Sequence, residues 1–373
     1  MNESKATRYQ RLRRRAQWIS AATGAALLLF VALTPGAQRL ARFASDQALG
    51  WPAGLQPVVA LSLFVGALVL AAEAVALPAS LYAATRGGRR TSQTRMDIGG
   101  IMASQARDAV IGAVIVIGVV AVLRFAMWAA AAWWWALASV MLAGATLAAM
   151  RLIGTGLAAT GQTLPLTRPA LSAALADLVA RIGGGSVDVR EWSAPTATGA
   201  RAVVTGVGAG GHVLLSRDMV RDWADDEIVV VVAHELSHYA HHDLARTVAL
   251  DAVLWCAALW CADRVVAHWG GFVGVQGVLD LAALPLLALA AGAVGGLVRP
   301  LRLAQSRAHE RRADRFALQQ TGNGEAFGRA LRRLGEQHLA EERPSRWTRW
   351  LFHRHPPLEE RLALARSFSA RQQ

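Results

Sequence analysis

Hydrophobic positions along this chain fall in long blocks punctuated by arginines. The first block, about residues 18–33, follows Lys5, Arg8, Arg11, Arg13, Arg14 and Arg15, and the poor cleavage context at Thr34 and Pro35 predicts a retained membrane span. A second block covers about 58–82 and is followed by Arg86, Arg89, Arg90, Arg95 and Arg107, so both basic flanks are expected on the cytosolic side. The apolar stretch 109–152 exceeds a single crossing of about 20 helical residues and predicts a helical hairpin. Arg124 and the indoles of Trp128, Trp133, Trp134 and Trp135 mark its turn, since charged and amphipathic groups favour the interface. Blocks at 248–266 and 278–298, the latter closed by Arg299 and Arg302, bring the expected total to six spans.

The pattern changes character after Arg151. Leu171, Leu175, Leu178 and Ile182 recur at helical spacing, a GGG turn follows, and 187–192 alternates as a strand does. Residues 202–215 are β-branched but broken by Gly206, Gly208, Gly210 and Gly211, predicting a hairpin or an irregular edge strand. Asp225 and Asp226 offer an N-cap to a buried helix that starts at Ile228 and runs through His234-Glu235-Leu236-Ser237-His238 towards Asp243. The expected organisation is a basic N-terminus (1–17), four spans (18–153), a water-facing α+β domain (154–247), two spans (248–298) and a cytosolic closing segment (299–373).

Composition sharpens this picture. A 54% hydrophobic content over 373 residues excludes an ordinary soluble domain. The formal charge of +13 does not argue for nucleic acid, because the N-terminal basic cluster abuts an apolar block, where it sets membrane orientation. Cys256 and Cys261 both lie in an apolar block and form no disulfide framework or CxxC metal pattern.

The candidate chemistry lies in the polar segments. On a helix, His234 and His238 stand one above the other, so their imidazoles can converge on one divalent ion while Glu235 stands beside it as a general base for water. Three fixed residues recur by chance, so a further ligand is needed. In Ser306-Arg307-Ala308-His309-Glu310-Arg311-Arg312-Ala313-Asp314, Glu310 and Asp314 share one helix face. Glu310 can complete a two-histidine, one-glutamate site for a single Zn2+, and Asp314 can accept the free ring N–H of a ligating histidine or, more plainly, pair with nearby arginines.

Three segments, AHELSHYAHHD at 233–243, SRAHERRAD at 306–314 and HPPLEERL at 355–362, together resemble the integral-membrane zinc metallopeptidases of the HtpX and type I CAAX prenyl protease kind. The resemblance implies a mostly α fold, a polytopic bundle of about six spans carrying a cytosolic zincin-like α+β domain. It implies His234, His238 and Glu310 as metal ligands, Glu235 as base, Asp314 as their support, His355 as a stabiliser of the oxyanion, and Arg361 as structural support. Relatives carry an Asn-Ala pair on an edge strand where this chain has Arg201 and Ala202. The following strand, Val203 and Val204 included, can pair with an extended peptide or simply complete the sheet.

Other residues are read more plainly. His241 and His242 can reach towards the metal face, but the adjacent Asp243 makes the solvated end of the helix the plainer reading. Glu73 and Asp251 are acids inside spans, lining a chamber or lying near helix ends. Trp347, Trp350 and Phe352 among arginines form an interfacial anchor or a hydrophobic staple. The expected activity is hydrolysis of membrane or membrane-associated proteins at the cytosolic face of the inner (plasma) membrane, in protein quality control or processing or, alternatively by the family resemblance, on prenyl-CAAX proteins, with both termini cytosolic, a peptide substrate and the bilayer as partners, and no nucleic acid. A site-2-type intramembrane protease is disfavoured by the polar surroundings of the motif. A membrane sensor lacks a long extracellular segment, and a dead scaffold is disfavoured because ligands and base are all present.

Overall fold

The computed structural model describes residues 5–87, 98–159, 163–182, 188–192, 202–205, 212–337, 341 and 344–372. In chain order the elements are α1 (Lys5–Leu33), α2 (Gly36–Ala48), α3 (Gln56–Gly87), α4 (Ile98–Ala129), α5 (Trp134–Ala159), β1 (Thr163–Pro165), α6 (Pro169–Arg181), β2 (Asp188–Trp192), β3 (Ala202–Thr205) and β4 (His212–Ser216). There follow α7 (Arg217–Asp222), α8 (Asp225–Ala240), α9 (Asp243–Trp269), α10 (Leu284–Thr321), α11 (Gly324–Gln337), α12 (Arg346–Phe352) and α13 (Leu358–Ser369). Among the described residues, six segments are long and apolar enough to cross a membrane: Gln10–Leu33, Gln56–Ala79, Met102–Ala129, Trp134–Leu152, Asp243–Val273 and Leu281–Thr321. The chain is a mostly helical, polytopic membrane bundle that also carries a small sheet, as its hydropathy pattern predicts.

Two compact units are present, one of residues 1–142 and 252–298, the other of 143–251 and 299–373. In the first, α3 packs against α1, α2 and α4. Small residues, Ala37, Ala44, Ala126, Ala138 and Ala262, line its interior and let helices approach closely around Phe64, Met127 and Trp134. Inside it the Trp134 indole N–H donates to Asp263 Oδ1 at 2.9 Å, and at its surface Arg124 Nη1 donates to the Leu279 carbonyl at 2.7 Å. Arg124 thus caps backbone in the loop before α10, beside the α4–α5 turn where the hairpin was expected. Glu73 is exposed on α3. Helix α2 was not anticipated. Its buried positions are all alanine, so it carries too little hydrophobic signal to register as an apolar block, yet it packs against α3.

The second unit has a four-stranded sheet in the order β1-β2-β4-β3. Strands β2 and β4 are parallel, whereas β1 pairs with β2 and β3 with β4 in antiparallel fashion. Leu171, Leu175 and Leu178 of α6, Val213 and Leu215 of β4, and Ile228, Val232 and Leu236 of α8 make one core with Leu318 of α10 and Phe327 and Leu331 of α11. The three α8 residues recur every fourth position, which buries one face and holds a β-branched run in helical form despite its modest propensity. Burial of a core side chain of this size is worth about 1.5–3 kcal/mol.

One local expectation is corrected here. Ala224, not an aspartate, occupies the N-cap of α8; the acids stand in its first turn, where Glu227 Oε2 accepts from the Ala224 N–H at 3.3 Å and the helix dipole favours negative charge. Arg333 Nη1 of α11 meets Glu227 Oε2 at 2.8 Å and fixes this end. The helix that carries the last expected span runs on beyond it: α10 continues through Arg299 and Pro300 to Thr321, so the segment bearing Glu310 is on the same helix.

Candidate active site

All the histidine, carboxylate and arginine side chains described below belong to the second unit. Helix α8 presents His234 and His238 one turn apart, with ring centroids 5.0 Å apart and planes nearly perpendicular. Helix α10 supplies Glu310, whose Oε2 lies 3.4 Å from His234 Nε2 and whose Oε1 lies 3.6 Å from His238 Nε2. One donor atom from each of the three residues falls within 4.8 Å of the others. Tetrahedral donors with bonds of about 2.0–2.1 Å to a common zinc ion stand roughly 3.3 Å apart, so the set fits a divalent zinc-like ion.

Each imidazole is turned by a carboxylate behind it. His234 Nδ1 lies 3.0 Å from Asp314 Oδ1, and His238 Nδ1 lies 2.9 Å from Asp243 Oδ2, so both Nε2 atoms face Glu310. Asp314, buried to 1% exposure, is held by Arg361 of α13 through Nε to Oδ2 at 2.8 Å and Nη2 to Oδ1 at 2.5 Å. This arrangement follows the spacing of Glu310 and Asp314 on α10, one turn apart. Burial alone would lower the His234 pKa, but the bonds to Asp314 and Glu310 outweigh it and raise it to about 9 in the metal-free protein.

Glu235 is half-buried beside the cluster, on the α8 turn that also carries the two histidines. Desolvation raises its pKa above the ordinary glutamate value, against the opposing pull of His234 and His238. His355 stands in the turn before α13 with Nδ1 2.8 Å from Glu310 Oε2, and it remains 64% exposed, the most open of these side chains. Strand β3 is at a sheet edge and packs beside α8; Ala202 pairs with Leu215, Val203 with Leu214 and Val204 with Val213. Val203 is exposed. Arg201 lies outside the described residues.

Sequence reading missed Asp243 and Arg312. Asp243 is not the solvated end of a helix: it is buried, 5% exposed, and Arg312 of α10 is ion-paired with its Oδ1. The cause is His242, whose φ of 53° ends α8 in left-handed conformation and starts α9 so that Asp243 points back at His238. His241 is turned away from the cluster, with Nδ1 2.8 Å from the Ser237 carbonyl and its ring edge-on to Phe316. An acid five residues beyond the second histidine was a readable signal; its direction, set by one backbone angle, was not. Asp251 is paired with Arg302, Nε to Oδ1 at 2.5 Å. Trp347 and Trp350 are exposed on α12 with their rings 6.0 Å apart, and Phe352 lies under the Arg299 guanidinium.

A membrane helical bundle with a two-histidine, one-glutamate cluster on its sheet-bearing unit defines a membrane metallopeptidase. The profile described as "Peptidase family M48" matches residues 165–369, and the chain belongs to that family. A second profile, "CAAX prenyl protease N-terminal, five membrane helices", matches residues 2–157. The chain is 29% identical over 165 residues to the "Uncharacterized metalloprotease YhfN" of Bacillus subtilis, covering 43% of this chain and 39% of that one. It is 31% identical over 166 residues to a "Protease HtpX homolog" of Acidiphilium cryptum, covering 38% and 54%. It is 30% identical over 159 residues to a "CAAX prenyl protease 1 homolog" of Caenorhabditis elegans, covering 41% and 35%. The matching region therefore spans roughly a third to a half of these relatives' length. The crystal structure of Ste24p from S. mikatae shares the fold, with TM-score 0.75 over 96% of this chain and 87% of that one at 17% identity.

Proposed function

We propose that this membrane metallopeptidase is a zinc-dependent endopeptidase that cleaves membrane or membrane-associated proteins at the cytosolic face of the inner (plasma) membrane, in protein quality control or processing. The observation that carries this reading is the convergence of His234 Nε2, His238 Nε2 and the Glu310 carboxylate, with both imidazoles backed by carboxylates. One Zn2+ bound there supplies Lewis acidity towards a peptide carbonyl. Glu235, desolvated and beside the cluster, takes the proton of the attacking water and returns it to the leaving amine. His355, open to solvent beside Glu310, donates to the oxyanion that develops on the scissile carbonyl. Asp314 and Arg361 hold His234. The exposed edge of β3, through Ala202, Val203 and Val204 and with Arg201 preceding it, pairs with an extended substrate by main-chain hydrogen bonds. The basic flanks of the first two spans support the cytosolic assignment of both termini and of the site.

Zinc content and cleavage of an unfolded membrane protein, measured for detergent-purified wild type and Glu235→Gln, test the reading. One zinc in both with cleavage in wild type alone supports it; no zinc in wild type overturns it. A second reading, processing of prenylated CAAX proteins, is favoured by the N-terminal profile match and by the relative from C. elegans. Cleavage of a prenylated peptide far ahead of its unprenylated counterpart would select it.

A further inference from the structure

The two histidines of the cluster are supported from opposite sides by separate carboxylate–arginine pairs. Asp314 with Arg361 serves His234, as the spacing on α10 predicts. The other pair is different in origin. Asp243 is the first residue of α9, a helix within the candidate span Asp243–Val273, whereas its partner Arg312 stands on α10 two residues beyond Glu310. His309 Nε2, one residue before Glu310, lies 3.8 Å from the same Asp243 Oδ1. A single turn of α10 thus supplies a candidate metal ligand and the two groups that face Asp243 Oδ1, while His238 faces Oδ2.

The contact continues along the two helices. Gln305 Nε2 donates to the Arg246 carbonyl at 3.2 Å, and Arg302 meets Asp251. Asp243, Arg246 and Asp251 recur along α9, and Arg312, Gln305 and Arg302 recur in reverse order along α10. The two helices are therefore clasped by polar contacts at three levels, and the level nearest the cluster ends on a histidine.

We infer that Asp243, aimed by Arg312, is the positioning residue of His238, and that it joins the start of the α9 span directly to the metal site. The inference rests on the zinc reading above. The carboxylate fixes the Nδ1–H tautomer of His238, directs Nε2 at the ion and makes that nitrogen a better donor. Arg312 fixes the Asp243 carboxylate in turn. Asp243 is buried behind His238, so its action on the site runs through that histidine.

The test uses full-length protein in detergent, with metal affinity measured by competition against a chromophoric chelator and with the visible absorption of the cobalt(II)-loaded protein as the signature of ligand geometry. Wild type, Asp243→Asn, Arg312→Ala, Arg312→Lys and Asp226→Asn are compared. Asp226, at the far end of α8 with Arg329, controls for loss of an acidic charge elsewhere in the unit. Asp243→Asn is expected to lower zinc affinity about 10- to 100-fold and to change the cobalt bands. Arg312→Ala is expected to change both in the same direction with Asp243 still in place, Arg312→Lys to recover part of the loss, and Asp226→Asn to leave both as in wild type. Arg312→Ala also serves if Asp243→Asn fails to fold. Wild-type affinity and cobalt bands in folded Asp243→Asn, or in Arg312→Ala, overturn the inference and leave the zinc reading standing. No stoichiometric metal in wild type overturns the zinc reading and this inference with it.

Discussion

Arg361 grips Asp314 at two points, 2.8 and 2.5 Å, while the same Asp314 Oδ1 lies 3.0 Å from His234 Nδ1. A carboxylate that is 1% exposed is thereby kept ionised between a guanidinium and an imidazole. Removing the guanidinium strands a buried charge. Arg361→Ala is expected to cost about 3–5 kcal/mol of stability, and Arg361→Lys to recover only part because it cannot make the two-point contact. Thermal melting of the purified variants checks this; an unchanged midpoint for Arg361→Ala would remove the pair from the account of the site.

With His234 as a ligand, as proposed, its raised pKa makes metal uptake compete with a proton. Its metal-free value of about 9 lies above the ordinary 6.5, so the bonds to Asp314 and Glu310 stabilise the metal-free fold fully below about pH 6.5 and lose that contribution as pH rises through about 9. Metal binding needs the neutral ring. Apparent zinc affinity is therefore expected to climb as pH rises towards 9, with about one proton released per ion from this group. Calorimetry in buffers of different ionisation enthalpy reads that proton directly.

In the proposed mechanism Glu235 serves as base only when ionised, and desolvation holds its pKa above the glutamate norm. The acidic limb of kcat/KM is accordingly expected at higher pH than an exposed glutamate would give, with activity rising as pH rises through it. A pH–rate profile on zinc-loaded protein measures the limb, and Glu235→Asp separates base from metal effects because the ligands are untouched.

Gly324 at the start of α11 has no room for a side chain. An added Cβ would stand 2.8 Å from the Ala365 carbonyl oxygen and against Ser369 Oγ, both on α13, the helix that also bears Arg361. Gly324→Ala is expected to cost about 1–3 kcal/mol by forcing α11 and α13 apart. Melting curves check the stability, and the chelator concentration that strips zinc shows whether the shift reaches Arg361.

What the sequence by itself determined was everything that depends on local periodicity. Apolar block length marked the six candidate spans, because a helix needs a set number of residues to cross hydrocarbon. The four-residue spacings of His234 with His238 and of Glu310 with Asp314 put each pair on one helix face before any fold was known. Tertiary structure decided the rest. It brought α10 against α8 although some 70 residues separate Glu310 from His238, a distance over which sequence spacing carries no geometric information. It ended α8 at His242, where one left-handed residue turned Asp243 from an apparent helix end into a buried partner of His238. It laid amphipathic α2, whose buried positions are alanines, on α3; its low mean hydropathy keeps it from reading as an apolar block. It also carried α10 unbroken past Pro300, because proline biases a helix to end there but packing along its length overrides that bias.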